Sequence, residues 1–125
     1  MRENMNNQFD REKRRFVRAC FPCKIVIYPP REHTISTHTE NIGAGGVRVI
    51  LGERLHSADI VGLKIYLGEG EITCKGRVVW VVTRSRQDET HFDTGIEFYQ
   101  ISDRDRQVID SFVLQRNEQN DTEKD

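Results

Sequence analysis

Apolar and polar residues alternate in short runs along most of the chain, and each run ends on a turn former. Residues 23–28 are rich in β-branched side chains and stop at Pro29-Pro30, which cannot donate to a strand ladder. Residues 35–42 alternate loosely and are broken by Gly43-Ala44-Gly45-Gly46. Further strands are predicted over 47–51 and 60–67, and Gly68-Glu69-Gly70 then supplies a hairpin turn because glycine accepts positive φ without steric cost. Residues 72–83 form the longest predicted strand and 92–101 the last. Six strands this short and this closely spaced predict a sandwich or barrel rather than βαβ units.

The period changes after Ile101. Ser102 with Asp105 three residues on resembles an N-cap pair, and Val108, Ile109, Phe112 and Val113 recur at helical spacing. One amphipathic helix over 103–115 is therefore predicted to close one end of the β-body. Residues 1–10 and 115–125 are too polar to bury. They predict a flexible N-terminal segment and a flexible acidic tail, the latter carrying Glu118, Asp121, Glu123 and Asp125, around a single domain at 11–114.

A length of 125 residues suits one domain, and 19 Lys+Arg against 20 Asp+Glu leave a formal net charge of -1. A protein that coats a nucleic-acid duplex carries a basic excess, so a nucleic-acid polymer is not the expected partner. A small barrel for single-stranded RNA or DNA would spread exposed aromatics over one face, whereas most aromatics here fall at core-like positions. The longest apolar run, 78–82, is far shorter than the ~20 residues of a membrane span, and the first twenty residues hold no apolar signal core. A soluble cytoplasmic protein without membrane insertion is expected.

Four constellations could carry chemistry. Cys20-x-x-Cys23 with His33 and His38 has zinc-like spacings, but Pro29-Pro30 stands where a zinc finger needs its helix, and Cys74 is alone on the long strand. The three cysteines are expected to behave as small apolar or edge residues, with no metal bound. Histidines 33, 38, 56 and 91 are scattered, and the sequence has no G-x-S-x-G, H-E-x-x-H or Walker loop, so no enzyme is expected. Asn41-Ile42-Gly43-Ala44-Gly45-Gly46 reads either as a tight hairpin turn or as a glycine-rich approach to an anion. Residues 11–18 hold five basic side chains against Glu12, and the guanidinium forks of Arg14, Arg15 and Arg18 suit phosphate oxygens and guanine edges.

Together the last two segments resemble the PilZ domain, a bacterial receptor module for cyclic di-GMP. Arg14 and Arg18 match the family's Arg-x-x-x-Arg motif, which can also be read as Arg11-x-x-x-Arg15. Asn41 and Gly46 match the ends of [Asp/Asn]-x-Ser-x-x-Gly. Gly76-Arg77-Val78-Val79-Trp80 and Gly95-Ile96-Glu97-Phe98 look like later strands of the family. The resemblance implies a mainly β fold, a six-stranded antiparallel β-barrel with a C-terminal α-helix. It implies ligand-binding roles for Arg14, Arg18, Asn41 and Gly46, with Arg15 assisting. No cofactor is implied beyond the ligand itself.

One position departs from the family pattern. Gly43 stands where the family has serine, and losing one neutral hydrogen bond costs roughly threefold to tenfold in affinity. Asn41 in place of aspartate removes a charged acceptor for a guanine edge. Trp80 is open between two readings. Strict alternation sets it on the core face with Ile72, Cys74, Val78 and Val82, whereas a β-bulge would turn it outward to stack on ligand. The expected function is a cyclic di-GMP receptor or adaptor whose N-terminal arm, about residues 10–18, closes on ligand and signals to a partner protein. The alternative is a PilZ-like interaction adaptor that binds no nucleotide.

Overall fold

The computed structural model describes residues 18–19, 22–31, 33–68 and 70–124. Among these residues there are seven strands: β1 Arg18–Ala19, β2 Lys24–Tyr28, β3 Ile35–Gly43, β4 Gly46–Leu51, β5 Ile60–Leu67, β6 Gly70–Arg86 and β7 Glu89–Gln100. One helix, α1, spans Asp103–Lys124. The sheet order is β1-β3-β2-β5-β6-β7-β4, every pairing is antiparallel, and β4 pairs back onto β3. Strands β2 to β7 thus close the six-stranded barrel that the sequence predicts. Closure leaves no free lateral edge around the body. The two-residue β1 is an addition to that barrel, lying along β3 where β2 has left it.

Alternation builds the core. Ile25 and Ile27 of β2, Val47 and Val49 of β4, and Leu63 and Ile65 of β5 point inward and are almost wholly buried, as are Ile109 and Val113 from α1. Leu55, on the connection between β4 and β5, is fully buried in the same cluster. The helix begins where the sequence places its cap: Ser102 Oγ accepts from Asp105 N at 3.0 Å. It packs against β1 and β3. Val108, part of the predicted apolar stripe, is left 45% exposed.

Three features depart from the sequence reading. First, β6 and β7 do not end at Thr83 and begin at Phe92. They continue as a two-stranded ribbon to a turn at Gln87 and Asp88, with φ of 53° and 69°. Both central residues in the left-handed region match the twist of a two-residue hairpin. Second, α1 runs past Gln115, where the sequence reading ends the helix, to Lys124. No glycine or proline interrupts 103–124, so each residue added to an existing helix gains a backbone bond. Third, a register shift between Val78 and Trp80 inserts a β-bulge into β6.

That bulge decides the face of Trp80. Before it, Ile72, Cys74 and Val78 are buried. After it, Val81 packs against the core while Trp80 and Val82 stand outside, 40% and 42% exposed. One extra residue moves every following side chain to the opposite face. The core reading of Trp80 and Val82 is thereby corrected.

Candidate ligand-binding surface

Directly paired residues of antiparallel strands share a face, so the register assembles a surface from distant parts of the sequence. One inward row, Ile42–Val47–Ile96–Val78, runs across β3, β4, β7 and β6, and none of its members is more than 2% exposed. On either side of it run two outward rows. The first is Gly43–Gly46–Glu97–Arg77, with Arg18 paired by backbone to Gly43. The second is Asn41–Arg48–Gly95–Trp80. Asn41, Gly43, Gly46 and Trp80 therefore lie on one outer face of the barrel, and the chain at Arg18 borders it. Arg14, Arg15 and Cys20 lie outside the described residues.

Glycine makes the floor of this face flat. A Cβ on Gly46 would overlap the Ile96 carbonyl oxygen and lie 2.9 Å from Glu97 Cα, so β4 and β7 approach more closely there than any other residue allows. A Cβ on Gly95 would fall on the Trp80 indole, 2.8 Å from Cζ2 and nearer still to Cε2 and Nε1. The indole thus lies against Gly95 while the side chain stays 40% exposed. Gly95→Ala should push the ring off its seat at a cost of about 1–2 kcal/mol, because the obstacle is a side chain that can swing rather than backbone. Trp80 is the chain's one tryptophan. The expected result is a red-shifted emission spectrum with a modest drop in melting temperature.

The Gly43–Gly46 turn is a hairpin, and its carbonyls are engaged from two sides. Phe98 N donates to Gly45 O at 2.9 Å, and Arg106 Nη1 of α1 donates to Ala44 O at 2.8 Å. The turn reading of this segment is correct, and the turn also borders the glycine floor. Arg77 stacks over Tyr99 at 4.5 Å and pairs with Glu97 at 3.5 Å.

The strongest electrostatic feature lies beside the second row. Asp93 of β7 is 1% exposed, and both its oxygens are held by Arg48, Nε to Oδ1 at 2.8 Å and Nη2 to Oδ2 at 2.9 Å. Arg84 Nε adds a contact to Oδ2 at 3.2 Å. The hydrogen bond from Arg48 holds the Asp93 carboxyl below the usual carboxylate range, against burial, with Arg84 assisting. Because the folded value is depressed, the stabilisation is complete above the ordinary carboxylate range and is lost as pH falls through the folded value. The melting temperature of wild type should exceed that of Asp93→Asn by a constant amount above about pH 5, and the gap should narrow progressively as pH falls below the ordinary carboxylate range.

Sequence reasoning missed Arg48, Arg77, Asp93, Gly95 and Glu97 as members of this surface. Arg48 alone had a local signal, since it stands two residues after Gly46 in a strand and so shares its face. The cysteine reading is clear for two of the three: Cys23 and Cys74 are buried, and burial pushes the Cys74 thiol up to about 12. His33, from the zinc-like set, pairs instead with Glu53 at 2.7 Å.

A closed barrel with a C-terminal helix, carrying glycines, arginines and an exposed indole on one face, suits a flat anionic ligand. The PilZ domain family model matches residues 12–115. The chain belongs to the PilZ domain family. Solved structures agree in fold. The Bacillus subtilis inhibitor of motility MotI (DgrA) is 25% identical with a TM-score of 0.72, matching 83% of this chain and 51% of its own. The PilZ domain of Escherichia coli YcgR, solved with c-di-GMP, is 14% identical with a TM-score of 0.70 over 90% of this chain and 99% of that one. The K. pneumonia MrkH–c-di-GMP complex is 17% identical with a TM-score of 0.74 over 88% and 55%. The chain therefore spans about half the length of the MotI and MrkH chains. No curated protein matches this PilZ chain in sequence. Among the described residues of the PilZ barrel and its helix, no helix is long and apolar enough to cross a membrane.

Proposed function

We propose that the chain is a cytoplasmic cyclic di-GMP receptor that acts by binding, with no catalytic step, and passes the signal to a protein partner. The observation that carries this reading is the backbone pairing of Arg18 with Gly43, which brings the chain at Arg18 beside the Gly43–Gly46 turn. Support comes from the YcgR PilZ domain and MrkH, both solved with c-di-GMP. Arg14, Arg15 and Arg18 supply planar forks for guanine edges and phosphates. Asn41 offers an amide to a base edge, the floor at Gly43 and Gly46 lets the ligand lie close, and the outer face of Trp80 stacks on a guanine. Residues 10–18 close over the ligand, and the closed arm and nucleotide together form the surface that the partner reads.

The missing hydroxyl at Gly43 weakens binding by roughly threefold to tenfold without abolishing it, since a water can fill the space. Calorimetric titration of the chain with cyclic di-GMP tests the reading, with GTP as the control. A dissociation constant of about a micromolar or tighter for cyclic di-GMP and no heat with GTP are expected. No heat with cyclic di-GMP at high concentration would identify an adaptor that has lost nucleotide binding, as Gly43 and Asn41 would favour.

A further inference from the structure

Arg48 and Asp93 belong to neither sequence motif, yet they form the best-defined polar contact on the barrel's outer face. Arg48 stands in the second outward row between Asn41 and Gly95, two strands from Trp80. Its guanidinium is gripped along one edge by both oxygens of Asp93, at 2.8 and 2.9 Å, which fixes the plane of the group. Asp93 is buried, whereas the Arg48 side chain keeps 37% of its surface exposed. Arg84 bears on the same carboxylate from the ribbon and is 62% exposed. One buried negative charge therefore faces two guanidiniums, both of which reach solvent.

Stability alone does not call for this arrangement. The direct cross-strand partners of Asp93 are Ile50 and Val82, so apolar side chains already serve this row. A buried ion pair is seldom more stabilising than apolar residues of the same volume. We propose that Arg48 is a further ligand-binding residue that takes a phosphate of the bound dinucleotide, and that Asp93 is its positioning residue. The inference rests on the receptor reading above and deepens it. A guanine stacked on the outer face of Trp80 and a phosphate on Arg48 would lie along the same outward row, with the indole seated over Gly95 between them. The guanidinium–phosphate contact offsets what Gly43 and Asn41 take away.

The test uses the full chain and three variants, Arg48→Lys, Asp93→Asn and Arg84→Gln, titrated with cyclic di-GMP and followed by the ³¹P resonance of the bound ligand. Arg48→Lys keeps the charge and a partner for Asp93 but loses the planar fork. It should melt within about 3 °C of wild type, bind about tenfold more weakly and shift the ³¹P resonance. Asp93→Asn should weaken binding in the same direction, and Arg84→Gln, if Asp93 fails to fold as asparagine, should do so to a smaller extent. Unchanged affinity and ³¹P shift in Arg48→Lys would make the ion pair a purely structural tie and overturn the inference while leaving the receptor intact. Affinity that falls only together with melting temperature, at an unchanged ³¹P shift, would overturn it as well. A wild-type chain that does not bind would remove both readings at once.

Discussion

Gly46→Ala is expected to lower stability by about 3 kcal/mol and the melting temperature by roughly 10 °C. The added Cβ would overlap the Ile96 carbonyl oxygen and press on Glu97 Cα, both of them backbone atoms in the middle of the β4–β7 pairing. Backbone has no rotamer by which to yield, so the two strands must separate. Gly52→Ala is the matched control, because nothing lies within 4 Å of its Cβ position. It should change stability by less than about 0.5 kcal/mol. The damage in Gly46→Ala also reaches the ligand surface, since moving β4 from β7 parts Asn41 and Arg48 from Gly95 and Trp80. Thermal melts followed by circular dichroism, with Trp80 emission read in parallel, check both consequences. Equal melting temperatures for the two variants would mean that β4 shifts without cost.

The glycine at position 46 was legible as a motif residue, but its structural reason was not. A family pattern records that a residue type is required, whereas the collision with Ile96 depends on a strand some fifty residues away. The same division runs through the fold. Alternation marked all six barrel strands, because a barrel wall buries one face and leaves the other wet. Ser102 and Asp105 marked the helix start, because capping is a local contact. The bulge at Val78–Trp80 left no mark, since it lies in the run Val78-Val79-Trp80-Val81-Val82, which is equally apolar in either register. The ribbon from Arg84 to His91 was also silent, because with both faces exposed it needs no apolar period. Arg48 and Asp93 are 45 residues apart and could be joined only by pairing β4 with β7.

Substituting Arg14 and Arg18 together by alanine is expected to weaken cyclic di-GMP binding by at least about a hundredfold while leaving the barrel intact. A hydrogen bond to a charged group contributes about 1.5–3 kcal/mol, so two guanidiniums account for roughly 3–6 kcal/mol, or about two to four decades in affinity. Ordering the arm opposes binding by about 1–2 kcal/mol per residue, so an arm without its arginines has little left to offset that cost. The barrel should tolerate the change, because Arg18 meets Gly43 and Ala19 meets Ile42 through backbone, which alanine supplies equally well. The melting temperature of the free chain should therefore stay within about 3 °C of wild type. Calorimetric titration of both proteins reads the affinity, and a thermal shift at saturating nucleotide gives an independent check, since a ligand bound only to the folded state raises its stability. Binding that survives the double substitution would move the ligand off this face and leave the pairing of Arg18 with Gly43 as a feature of the fold alone.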